Sequence, residues 1–113
     1  MATIPLLERH CQRDTTRLSA EAVPELMQQL HGDWSADHDA QHIRRSFRFK
    51  NYYQTIAFVN ALAWVAHRED HHPDLEVGYN RCAVNFSTHS VGGLSENDFI
   101  CAARIDMLVP PSD

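Results

Sequence analysis

Histidines gather in one short stretch, His67-Arg68-Glu69-Asp70-His71-His72-Pro73; a further one follows in Thr88-His89-Ser90, and Asp98 lies beyond it. An unperturbed imidazole titrates near pH ~6.5, so such groups can give and take a proton at neutral pH. General acid–base chemistry suits them. Imidazoles around a concave pocket can protonate a leaving group and accept a proton elsewhere, each worth about 10²–10⁴-fold. Pro73 pins His71 and His72 at a helix end, which sets them apart from His10, His31, His38 and His42, read as ordinary surface or core residues.

A metal shell is the first rival. His67 and His71 are four apart and can share a helical face, with His72, His89 and Asp98 completing a ligand set. The zinc-protease pattern needs Glu directly after its first His, where this chain has Arg68, and no cysteine lies beside the histidines. No metal or cofactor is assigned. Nucleophilic chemistry fits less well: Cys82 falls on the inward face of an expected strand as a small core residue. Ser87 and Ser90 flank His89 without the glycine-framed elbow of an activated serine. Gly92-Gly93 ahead of a helix reads as a turn rather than an anion cradle.

The elements that position these groups follow from spacing. Ser19 caps a helix over 19–30, with Glu21 in its first turn, Pro24 near its start and Gly32 past its end. Trp34-Ser35-Ala36 is a short strand. Ile43, Arg45, Phe47 and Phe49 alternate with Arg44, Ser46 and Arg48, a period of two that predicts a second strand, hairpinned to the first. Residues 52–66 are apolar except at Gln54, Thr55 and Asn60, a helix too short for a membrane span of ~20 residues. Its two stripes, Tyr52-Ile56-Val59-Ala63-Ala66 and Phe58-Leu62-Val65, call for burial on two sides, by a sheet and by another copy of the chain.

Pro73 disfavours helical backbone at His72, so that helix closes near the histidine pair. Leu75-Glu76-Val77 and residues 81–87 are strands about a Gly78-Tyr79-Asn80 turn, with Cys82, Val84 and Phe86 on one face. Ser95-Glu96-Asn97-Asp98 opens a last helix like a capping box. That helix carries Asp98, Cys101, Ala102, Ile105 and Val109 on one side and is stopped by Pro110-Pro111. The order α-β-β-α-β-β-α predicts an α+β two-layer sandwich, a four-stranded antiparallel sheet with three helices on one face.

At 113 residues the chain is one domain, read as a poorly ordered or extended lead-in over 1–17 and a folded unit over 18–113. A net charge of −5 argues against direct nucleic-acid binding and against an anionic membrane surface. Residues 1–10 lack a basic region followed by an apolar run, so no signal peptide is expected. Cys11, Cys82 and Cys101 are odd in number and widely spaced, which suggests free thiols and a soluble, cytoplasmic protein.

His71-His72-Pro73, Tyr79, Thr88-His89, Gly93-Leu94-Ser95 and Asp98 together resemble the signature of the pterin-4a-carbinolamine dehydratases. Weaker agreement reaches upstream to Trp34, Phe47-Arg48-Phe49 and Ala57-Phe58-Val59-Asn60, so the likeness spans about residues 18–108. The resemblance implies a sheet-extended homodimer or a homotetramer formed through the long helix. It implies dehydration of 4a-hydroxytetrahydropterin to quinonoid dihydropterin, which recycles the cofactor of aromatic amino acid hydroxylases such as phenylalanine hydroxylase. On the same ground His71 and His89 are the expected acid/base pair, His72 binds and orients the pterin, and Asp98 orients a histidine. Pro73 shapes the loop, and His67, Thr88 and Ser87 are expected around the substrate. Trp34 either walls the pocket or is a structural aromatic. Many members carry Glu where this chain has His67. A protein-binding module, like the relatives that act as transcriptional coactivators or assembly factors, is the alternative function.

Overall fold

The computed structural model describes residues 5–110 of the chain. Residues 1–4, part of the stretch read for a leader, and Pro111, half of the expected helix stop, lie outside them. Three helices and four strands run in the expected order: α1 (Ala22–Met27), β1 (Ser35–Ala36), β2 (Ile43–Arg48), α2 (Tyr52–Glu69), β3 (Asp74–Val77), β4 (Arg81–Phe86) and α3 (Glu96–Asp106). The sheet is antiparallel throughout, in the order β1-β2-β4-β3.

Alternation decides the sheet's two faces. In β2, Ile43, Arg45 and Phe47 are buried while Arg44, Ser46 and Arg48 are exposed. In β4, Cys82, Val84 and Phe86 stand opposite Phe47, Arg45 and Ile43 and join the same core. Phe58 and Leu62 of α2, and Phe99, Ile100, Ala102 and Ile105 of α3, complete it. Arg45 is a cation on the apolar face, held there by its terminal nitrogens while its buried Nε has no hydrogen-bond partner among the described residues. It lies 4.2 Å from the Phe47 ring centroid and donates to Asp106 at 2.6 Å.

Three expectations change. The first helix is shorter than 19–30: it spans Ala22–Met27 with Glu21, not Ser19, at its cap position, and Pro24 sits within its first turn. The last helix stops at Asp106, ahead of Pro110. There the Asp106 carboxylate is taken up by Arg45, the Trp34 indole and the His31 amide. The described part of the lead-in, residues 5–17, includes a 3-10 turn over Leu6–Glu8 and is docked on the fold. Leu6 is buried in the core, Arg9 pairs with Glu96, and the carbonyl of Arg9 accepts from Arg104. α2 is buried at Thr55, Phe58 and Leu62, while Tyr52, Tyr53 and Trp64 stay exposed.

Candidate active site

His71 is placed by the way α2 ends. Asp70 adopts a left-handed conformation (φ 53°, ψ 43°), tolerable for a residue with a short polar side chain. Its N–H reaches the His67 carbonyl, and the His71 N–H reaches that of Ala66 at 3.1 Å, a Schellman-type closure without glycine. The chain then reverses into β3 through the buried Pro73. His71 is left under the end of β4, its ring stacked on Phe86 at 5.8 Å and 11° between planes.

Asp98 holds that ring. Its Oδ1 lies 2.7 Å from His71 Nε2, and its side chain is fully buried. Its other oxygen, Oδ2, accepts from the Thr88 hydroxyl at 2.8 Å and from the Ser95 N–H at 3.0 Å. Thr88 Oγ1 is also 2.7 Å from Ser95 Oγ. A threonine hydroxyl has one proton; with Thr88's given to Asp98, Ser95 is the donor between the two. A buried carboxylate is costly unless donors surround it, and here both oxygens are occupied. The ring nitrogen facing Asp98 is thereby committed. Among the described residues, His71 Nδ1 has no hydrogen-bond partner.

Two hollows meet at His71. One, of about 370 Å³, is lined by His71, Thr88, Ser90, Arg68, Asp70 and Asn97, with Gln12, Arg13 and Thr15 of the lead-in. The other, of about 350 Å³, is lined by His67, His71, His72 and Pro73 against Leu62, Ala66 and Leu75. His72 is exposed, with Nδ1 3.4 Å from the Pro73 carbonyl. His67 stacks on Trp64 at 5.6 Å. His89 is exposed on a short 3-10 turn, His89–Val91, closed by Gly92 at φ 69°.

The sequence-derived set is therefore drawn together in part. His67, His71, His72, Pro73, Thr88 and Asp98 adjoin the two hollows or hold a residue that does. His89, exposed, and Ser87, half-buried, line neither. Trp34 also lines neither; it is a core aromatic packed on Phe47 and Phe86, its indole N–H donating to Asp106 at 2.8 Å. Among the described residues, no three His, Cys, Asp or Glu side chains come together as a metal-binding group. Spacing did not single out Gln12, Arg13, Thr15, Arg68 or Asn97. The first three lie in what read as a lead-in, and only the folded chain returns them to His71.

Glu69, the last residue of α2, is held 7 % exposed. Burial pushes its carboxyl up, but the Cys11 N–H, His10 and Arg104 outweigh it and leave the group below the usual carboxylate range. Cys11 lies 3.5 Å from Cys101, sulfur to sulfur; that contact, with burial, pushes its thiol well up.

The α+β fold is shared with proteins of one family. Residues 16–108 match the family profile described as pterin 4 alpha carbinolamine dehydratase, and the chain belongs to that family of hydro-lyases. A provisionally named pterin-4-alpha-carbinolamine dehydratase of Nitrosospira multiformis is 59 % identical over 98 residues, covering 87 % of this chain and 84 % of its own. One of Legionella pneumophila (strain Corby) is 50 % identical over 110 residues, covering 95 % and 97 %. Among solved structures, a transcriptional coactivator/pterin dehydratase from Brucella melitensis superposes with a TM-score of 0.79 at 30 % identity, covering 84 % of this chain and all (100 %) of that one. A pterin dehydratase-like protein described as a RuBisCO assembly factor in the alpha-carboxysome gives 0.61 at 28 % identity, covering 73 % and 95 %.

Proposed function

We propose that the protein dehydrates 4a-hydroxytetrahydropterins to quinonoid dihydropterins by histidine acid–base catalysis. The observation that carries this reading is the His71–Asp98 contact at 2.7 Å, at the junction of two hollows. In the reaction the C4a–O bond breaks, the departing hydroxyl takes a proton and leaves as water, and N5 gives up its proton. Hydroxide leaves poorly, so a donor at the 4a-oxygen and an acceptor at N5 both lower the barrier. With Nε2 committed to Asp98, His71 presents Nδ1 to the reactant. Asp98 fixes the ring's tautomer and orientation. His89 is the second acid/base group, and His72 with His67, Pro73 and Thr88 binds and orients the pterin. Trp34 supports the site from outside the hollows, through the Phe86 ring on which His71 stacks.

The product returns to tetrahydropterin, linking the protein to an aromatic amino acid hydroxylase. Self-association fits the same reading: β3 is an edge strand of the described sheet, and α2 exposes Tyr52, Tyr53 and Trp64. The alternative, a binding module, draws on the coactivator and assembly-factor descriptions of the two structural relatives. The intact histidine–carboxylate pair favours the enzyme. Carbinolamine generated in situ should be dehydrated well above its spontaneous rate, and equally with and without a chelator. No acceleration would leave the binding module; loss of turnover to chelator would move the histidines into a metal shell.

A further inference from the structure

The lead-in is pinned at two points on either side of the larger hollow. On one side, the buried Asn97 amide accepts from the Gln12 N–H at 3.0 Å and donates to the Gln12 carbonyl at 2.8 Å. Beside it, the Cys11 N–H donates to Glu69 at 2.8 Å. On the other side, Arg17 bridges to Ser95 and the Leu18 N–H donates to the Leu94 carbonyl at 2.9 Å. The Arg17 side chain lies over Gly93, where an added Cβ would stand 2.9 Å from its Nε. Between the pins, residues 13–16 turn across the hollow that His71, Thr88 and Ser90 line, with Arg13 and Thr15 among its lining. Neither Arg13 nor Thr15 has a side-chain hydrogen bond or ion pair among the described residues. The family profile begins at residue 16, so most of this strap lies outside the matched region.

We propose that the strap is a specificity element, with Arg13 and Thr15 binding an oxygen-bearing substituent at pterin C6 and Asn97 positioning them. The inference rests on the dehydratase reading. The reacting atoms C4a and N5 are bonded to each other, and C6 is the next ring atom after N5. A pterin held by His67, His72 and Pro73 in the smaller hollow, with C4a and N5 at His71, can carry its C6 substituent across His71 into the larger one. A guanidinium and a hydroxyl without protein partners are donors matched to hydroxyl or phosphate oxygens, and a bare methyl group offers them nothing. A methyl group forgoes those hydrogen bonds, so the exposed Arg13 cation and the half-buried Thr15 hydroxyl favour the oxygen-bearing substituent.

The test compares kcat/KM for two carbinolamines in the full-length protein, one with a dihydroxypropyl group at C6 and one with a methyl group. The wild type should prefer the first. Arg13→Ala should lower the ratio of the two by about 10-fold, the scale of a charge-assisted hydrogen bond. Thr15→Val should lower it by less. Asn97→Ala should lower it through KM of the hydroxylated substrate, because it frees the strap. Arg13 is exposed, so that variant should fold even where Asn97→Ala does not. Wild-type turnover with an unchanged ratio in Arg13→Ala and Thr15→Val would overturn the inference and leave the dehydratase standing. No wild-type turnover on either substrate would overturn both.

Discussion

Replacing Thr88 by Val removes the hydroxyl that donates to Asp98 Oδ2 and accepts from Ser95. A fully buried carboxylate then lacks one of its donors, and the Ser95 hydroxyl loses its acceptor. The expected cost is about 1–3 kcal/mol, seen as a Tm lowered by several degrees, with reduced turnover because the His71 ring is less firmly held. Thr88→Ser should recover most of both. A Val variant with wild-type Tm and rate would show that the Asp98–Ser95 contact suffices. Asp98 was legible in the sequence as a helix-opening acid three positions after Ser95. Thr88's part was not, since its partners depend on how the Gly92-Gly93 turn folds the chain back, as the Thr88–Gly93 bridge records. The environment of Cys11 was equally hidden: its partner, Cys101, lies far along the chain on α3.

At the scale of elements, periodicity carried the strands and α2. The alternation in β2 was readable because one face is dry, and α2 because its apolar run ends at Asp70 and Pro73. Helix ends and the lead-in were less readable. α1 lacks a cap at Ser19, and α3 gives up Asp106 to Arg45 and Trp34. The lead-in has no period; it is held by single polar contacts to residues tens of positions away. Glu69 joins that segment to α2, and its pH dependence has a definite sign. A carboxylate held below its usual value contributes its full stability above the unfolded value, near 4.5, and loses it as pH falls through the folded value. Below about pH 4 the wild type should therefore lose stability and exchange the Cys11 amide faster. Glu69→Gln should be less stable at pH 7 and show a shallower slope over that range. Denaturant midpoints measured between pH 3 and 7 check this, and parallel slopes for the two proteins would contradict it.

The whole molecule presents two surfaces suited to a second copy: the edge of β3 and the aromatic side of α2, where Trp64 is 63 % and Tyr53 81 % exposed. Exposed aromatics so grouped are costly in a lone chain. Sedimentation equilibrium at micromolar concentration should give a multiple of 12.9 kDa, lowered by Trp64→Glu if the helix face is the contact. A wild-type mass of one chain would remove self-association. The two stripes read from residues 52–66 included neither Tyr53 nor Trp64, because a rule of apolar spacing passes over single exposed aromatics.

In the proposed reaction His71, steered by Asp98, moves protons for carbinolamine dehydration. The most direct measurement is the dehydration rate of His71→Ala and Asp98→Asn beside the wild type, each checked for folding. His71→Ala should be slower by about 10²-fold or more, and Asp98→Asn, which keeps an acceptor for Ser95 but loses the charge facing the imidazole, by less. A folded His71→Ala protein that dehydrates the carbinolamine at the wild-type rate would contradict that role for His71.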